Sequence, residues 1–132
     1  IDAGLRTLLV PITDFDTEIS VYPNEQSLKT FCESNDIDII LVFSKQTADT
    51  SAFAHTRVFA PKFGYLEDPA TGSGNIAFAN YLLSEGLWKG EPIMIEQGGN
   101  NRVFNSVKLK CQDGKVLFGG KATKKIEGEY YI

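Results

Sequence analysis

Cysteine, histidine, tryptophan and methionine are nearly missing from these 132 residues: two Cys, one His, one Trp and one Met. Cys32 and Cys111 lie far apart and fit no C-x-x-C or Cys/His ligand spacing, which sets aside zinc-ligand and dithiol redox motifs. The expectation is two reduced, mostly buried thiols in a cytoplasmic setting, with no metal and no cofactor. Any Ser-His-Asp or Cys-His arrangement would have to use His55, and no nucleophile lies near it in sequence. His55 therefore reads as a satisfied structural residue on a strand.

Positive charge is also scarce. Thirteen Lys and Arg face seventeen Asp and Glu, for a net charge of −4, and nucleic-acid binders usually carry a basic face. No nucleic-acid partner is expected. The one basic cluster, Lys121, Lys124 and Lys125, reads as the solvated end of a strand that discourages edge-to-edge pairing. No apolar run approaches the roughly 20 residues that span a bilayer, so no membrane partner is expected either. There is no secretory signal, and the chain opens with Ile1 rather than Met, so the sequence reads as a piece of something longer.

What is present is an ordinary globular composition, 42% apolar with nine Phe and five Tyr. Its length suits one domain that buries roughly two-thirds of the surface its unfolded form exposes. Leu5–Val10, ending at Pro11, reads as a strand. Pro23-Asn24 followed by residues 25–35 supplies a cap and an early acid, with Leu28, Phe31 and Cys32 at helical spacing. Ile37–Phe43 has the length of a buried strand, and Ala52–Ala60 alternates so that Phe53, His55, Arg57 and Phe59 share a face. The polar residues 44–51 between them read as a hairpin-like loop with a mobile tip.

Residues 74–83 have almost no polar face, so the helix they form must be enclosed on several sides. Gly86 is placed to end it, with Trp88 folding back on the last turn. Strands follow at residues 93–97, 103–111 and 116–122, with turns at residues 98–101 and at Asp113-Gly114, the strongest hairpin signal in the chain. Residues 129–132 read as a last short strand. The pattern predicts an α+β domain in which a curved, mostly antiparallel sheet wraps one buried helix.

The run Glu67-Asp-Pro-Ala-Thr-Gly-Ser-Gly-Asn75 leads into that helix. A helix start gathers free N–H groups and partial positive charge, and Asp68-Pro69 stiffens the approach to it. Thr71 or Ser73 can cap. Gly72, Ser73 and Gly74 leave the backbone open to a ligand carboxylate or phosphate, although the same residues make a well-capped helix with no ligand. Asp68 can orient a substrate or move a proton, or simply accept N–H bonds of its own turn. Glu67 reads as solvated. Arg57 reads as a support that pairs with the acidic turn.

At these residues the chain resembles a known family. Arg57-Val-Phe-Ala-Pro61, then Gly64, then Glu67-Asp-Pro-Ala-Thr-Gly-Ser73 resemble the second-half signature of the phenazine-biosynthesis isomerase-like family, whose fold is that of diaminopimelate epimerase. Gln97-Gly98, Arg102, residues 116–120 and Gly128-Glu129 extend the resemblance over essentially the whole chain.

The resemblance implies a protein of two similar halves, each a barrel-like sheet around a central helix, with the active site in the cleft between them. The chain would be the C-terminal half, a single domain over residues 1–132. The residue matching Asp68 would hold and orient the substrate, and those matching Gly72 and Ser73 would bind its carboxylate, with Thr71 and Gly74 beside them. The principal acid/base glutamate would belong to the other half, so this chain alone would be inactive. The expected partners are a small carboxylate-bearing molecule, the missing N-terminal half and, alternatively, a second copy. Gly74 stands where the family commonly has alanine. The thiol pair of the epimerase and racemase relatives is absent from the turn, which favours a carboxylate-driven proton shift over two-thiol exchange.

Overall fold

A computed structural model describes residues 1–99 and 104–131. Seven strands form one sheet: β1 (Thr7–Pro11), β2 (Ile39–Ser44), β3 (Ala54–Phe59), β4 (Glu67–Asp68), β5 (Ile93–Gln97), β6 (Asn105–Gln112) and β7 (Lys115–Gly119). The helices are α1 (Phe15–Ser20), α2 (Glu25–Ser34) and α3 (Gly72–Ser84), with a short 3₁₀ turn at Pro61–Phe63. The strand order is β1-β2-β3-β5-β6-β7, and β4 pairs with β3. The β1–β2 and β3–β5 pairs are parallel and the others antiparallel. The class is α+β, a curled mixed sheet around α3, as the sequence pattern predicts.

α3 is central because it has nothing polar to show water along most of its length. Phe78, Ala79 and Leu82 are buried among Ile39, Leu41, Val58, Ile95, Val107 and Leu109 from four strands. Burying Phe78 or Leu82 stabilises the fold by about 1.5–3 kcal/mol each. Gly86 takes a left-handed φ of 66° just past the helix, and Leu87 and Trp88 donate their N–H groups back to the Leu82 carbonyl. Trp88 closes that end of the core at 3% exposure.

On β3, alternation divides the residues cleanly. Ala54 and Val58 face α3. His55, Arg57 and Phe59 point the other way, where α1 and α2 cover them. Phe53 departs from the expected shared face: it precedes the strand and packs with the α3-side cluster. Cys32 anchors α2 beneath this second layer beside Phe59, and burial pushes its thiol up from the ordinary range. Phe31, predicted on the same helical face, is instead exposed.

Other boundaries also move. α1 carries too little apolar periodicity to be read in the sequence; Asp14 caps it by accepting the Thr17 N–H at 2.8 Å. Loop 44–51 is tied down by Glu96, whose carboxylate accepts from the Ala48 and Asp49 N–H groups at 3.0 and 2.9 Å. Asp113-Gly114 forms the expected two-residue hairpin, both residues at positive φ. β7 stops at Gly119, so the lysine cluster lies beyond the sheet rather than at the end of a strand. Residues 129–131 add no strand. They alternate well enough, but nothing among the described residues pairs with them. The predicted turn at residues 100–101, Val103, Arg102 and Ile132 fall outside the described residues.

Candidate active site

The site sits where one strand edge divides between two neighbours. Along one side β3 pairs with β5 at Ala54–Thr56 and with β4 at Val58–Phe59. β4 and β5 diverge beyond these pairs, and residues 69–71 cross the gap into α3. Gln97, at the end of β5 and fully buried, fills the fork. Its Nε2 donates to the Asp68 carbonyl at 2.7 Å, and its Oε1 accepts from the Thr71 N–H at 3.1 Å and from Asn75 Nδ2 at 2.7 Å. Asn75 Nδ2 also donates to the Thr71 carbonyl, and Asn105 Nδ2 donates to that of Pro69. The turn is thus held from the sheet by Gln97 and Asn105 and from α3 by Asn75.

Thr71 occupies the N-cap position with extended backbone, φ −92° and ψ 124°, but no side chain caps α3. The capping predicted for Thr71 or Ser73 does not occur. Thr71 turns inward instead, and its hydroxyl meets Gln97 Nε2 at 3.4 Å. The start of α3 therefore offers its N–H groups and the positive end of its dipole without a side-chain acceptor.

A cavity of about 190 Å³ lies against this helix start, lined by Asp68, Ala70, Thr71, Gly72 and Ser73 on one side and by Leu5, Ile39, Ala60, Phe63 and Tyr65 on the other. Phe63 and Tyr65 are half exposed and form an aromatic rim, held apart by Gly64 at φ 86°. Asp68 Oδ1 accepts the Ala70 N–H at 3.0 Å, the turn bond that an Asp before Pro commonly makes. Gly74 does not reach the cavity. It is buried against the core, and a Cβ there would meet Thr71 Cγ2, Val58 Cγ2 and Ile39 Cδ1 at 3.2–3.4 Å. Glycine at this position packs closely against the core, with little room for a side chain.

Arg57 is nearly buried and holds two elements together. Its Nε and Nη2 donate to Glu67 Oε1 and Oε2, both at 2.9 Å, the bidentate geometry that makes such pairs strong. Its Nη1 donates to the carbonyls of Glu18, Ile19 and Val21 at the end of α1. Glu67 is thus not the solvated carboxylate its sequence context suggests. Gly99 lies flat on this fork: a Cβ there would stand 2.8 Å from Arg57 Nη2 and 3.0 Å from Glu67 Oε2. His55 is also less satisfied than expected: neither ring nitrogen makes a hydrogen bond among the described residues, and Glu18 Oε1 lies 3.2 Å from Nδ1.

Among the described residues no three His, Cys, Asp or Glu side chains gather as metal ligands do, and no helix is long and apolar enough to cross a membrane. Sequence reasoning named Asp68, Gly72 and Ser73, which the structure brings to one cavity. It left unassigned Gln97 and Asn75, which shape the turn, and Phe63 and Tyr65, which wall it.

The family model described as phenazine biosynthesis-like protein matches residues 1–128. The chain is 29% identical, over its whole length, to antisense-enhancing sequence 1 of Schizosaccharomyces pombe, of which it spans 46%. It is 28% identical over 66% of its length to a protein of Clostridium acetobutylicum named an uncharacterized isomerase, and 30% identical over 69% to one so named from Mesorhizobium japonicum, spanning 29% and 32% of them. The chain thus spans less than half the length of these curated relatives. A Bacillus anthracis phenazine biosynthesis protein of the PhzF family superposes with a TM-score of 0.67 at 20% identity, covering 83% of this chain and 40% of that one. A Clostridium difficile protein titled a putative phenazine biosynthesis PhzC/PhzF protein gives 0.59 at 21% identity over 92% of this chain and 45% of that one. Both share the fold.

Proposed function

Because this chain belongs to the phenazine biosynthesis-like protein family, whose members here include proteins named isomerases, we propose that it forms one wall of the active site of a cofactor-independent isomerase that shifts a proton within a small carboxylate-bearing substrate. The observation that carries this reading is the side-chain-uncapped start of α3 opening on a cavity that also holds Asp68 and Ser73. The free N–H groups and the Ser73 hydroxyl anchor the substrate carboxylate, and Asp68 orients a neighbouring polar group. Gly72 keeps the backbone approachable. Thr71 shapes the turn from inside.

In this reading the main acid/base stands on a companion half that completes the cleft, and the present chain alone is inactive. Among the described residues Asp68 is the one carboxylate lining the cavity, and Glu67 beside it is committed to Arg57. The same observation favours a second reading, a non-catalytic binder of small organic anions, because one wall of this kind binds without reacting. The two readings separate in deuterium oxide. The full-length parent and its Asp68→Asn variant are incubated with a panel of dihydro-hydroxy aromatic acids and followed by NMR. Solvent deuterium entering one acid with the parent, and at least tenfold more slowly with the variant, supports catalysis. Binding without any deuterium uptake leaves the anion-binding reading and removes proton transfer.

A further inference from the structure

Glu18 of α1 and His55 of β3 are ionisable side chains fully buried outside the cavity. Glu18 Oε1 stands 3.2 Å from His55 Nδ1, and neither the carboxylate oxygens nor the ring nitrogens make a hydrogen bond among the described residues. The rings of Phe15 and Phe104 stand edge-on to the imidazole at 5.0 and 5.1 Å, so the surroundings are apolar. The other charged groups on this face are already matched. Arg57, two residues along the strand, is paired with Glu67. Glu96, in register with His55 on β5, accepts the N–H groups of Ala48 and Asp49. Among the described residues neither of these is a counter-charge to Glu18 or His55, so the 3.2 Å contact between the two is what offsets the cost of burying them.

His55 and Arg57 both grip α1. His55 meets the Glu18 side chain, while Arg57 takes the main-chain carbonyls of Glu18, Ile19 and Val21 at 2.8, 3.2 and 2.6 Å. The opposite edge of the same guanidinium holds Glu67, the residue before Asp68. We propose that Glu18 and His55 are positioning residues for the cavity: their buried contact seats α1 on β3, and so fixes the carbonyls that orient the Arg57 fork and the Glu67–Asp68 strand. The seating of α1 and of the fork is independent of what the cavity binds. The effect on a ligand rests on the carboxylate-site reading above.

Six-residue helices hold together poorly on their own. α1 has its Asp14 cap at one end and Arg57 at the other, and Glu18 is the one residue of the helix that is fully buried. Altering the Glu18 carboxyl group therefore acts on the seat of the helix rather than on the core around α3.

The test uses the ¹⁵N-labelled 132-residue chain, whose single histidine and Arg57 Nε–H give separate NMR signals, the latter assigned by its loss in Arg57→Lys. The Glu18→Gln variant, folded by circular dichroism at low temperature, is expected to displace the Arg57 Nε–H signal and weaken benzoate binding about tenfold, with Glu18→Asp restoring part of both. An Arg57 signal unmoved in folded Glu18→Gln overturns the proposal. Should that variant fail to fold, His55→Gln reads the same contact from the other side. In the wild type, any pH-dependent step of the His55 ring must be matched by a step at Arg57, and a His55 step that leaves Arg57 still also overturns it. If the wild type does not bind benzoate, the carboxylate-site reading fails, while the Arg57 signal still decides the positioning role.

Discussion

Gln97 Nε2 donates to the carbonyl oxygen of Asp68 at 2.7 Å, joining the end of β5 to the residue at which the site turn begins. The same side chain accepts two further bonds through its Oε1, from the N-cap Thr71 N–H and from Asn75 of α3. One buried amide therefore satisfies groups on both sides of the gap between β4 and β5.

Replacing Gln97 with Leu leaves the Thr71 N–H, Asn75 Nδ2 and Asp68 carbonyl without their partner in the fork. At about 1–3 kcal/mol for a buried group left unsatisfied, and with partial relaxation, the expected loss of unfolding free energy is about 3 kcal/mol. Urea denaturation measures it. A loss below the ~0.5 kcal/mol typical of a surface change would show that the fork does not hold the turn.

Gly99→Ala places a methyl group against the Arg57–Glu67 fork, where the nearest atoms are charged and hydrogen-bonded rather than free to swing away. Overpacking of this kind costs about 1–3 kcal/mol. The measurement is the urea midpoint, together with the Arg57 Nε–H signal, which should shift in Gly99→Ala and stay in place in Gly128→Ala, where a Cβ meets nothing within 4 Å.

Tyr65 and Phe63 rim the cavity without supporting the core, since both are about half exposed. Tyr65→Ala is therefore expected to leave stability within about 0.5 kcal/mol of wild type. With the aromatic face of the rim removed, benzoate should bind several-fold more weakly, while acetate, too short to reach the rim, should bind as before. Ser73→Ala should weaken both acids alike, because it takes away a hydroxyl that meets the carboxylate they share. Calorimetric titration distinguishes the two patterns.

Acid sensitivity follows from carboxylates outside the site, Asp38 and Asp14 among them. The Lys62 ammonium at 2.8 Å and the Arg6 N–H hold Asp38 below the usual carboxylate range, and the Thr17 N–H and hydroxyl do the same for Asp14. A carboxyl with a lower native than unfolded pKa stabilises fully above the unfolded value, near 3.9 for Asp, and loses that contribution as pH falls through the native value. The Asp38→Asn variant should therefore lose less stability than wild type between about pH 4 and pH 2. Parallel stability curves for the two proteins over that window would contradict this assignment.

What the sequence makes legible here is local. The apolar run of α3, the alternation of His55, Arg57 and Phe59, and Asp113-Gly114 each carry their instruction within a few residues, and the structure follows them. What is not legible joins distant segments. Gln97 looks like the polar end of a strand until Asp68, Thr71 and Asn75 come to meet it. Glu67 looks solvated until Arg57 is folded over it from the preceding strand. α1 is stabilised by contacts to β3 that no period of apolar residues announces. Residues 129–131 show the converse, a strand-like pattern with no neighbour to pair with among the described residues. Alternation states a propensity, and only a partner makes a strand.

The two parallel pairings carry a consequence for the order of folding. Thr7 must find Ile39 across both α1 and α2, and Ala54 must find Ile95 across α3. Each closes a long loop, whose entropic cost falls due before the contact rewards it. The β6–β7 hairpin, closed by two residues, needs no such search and is expected to form early. Because the turn from Asp68 to Thr71 is held by a strand that joins through the slower β3–β5 closure, the cavity would be among the last features to assemble during folding and among the first to open when the sheet loosens.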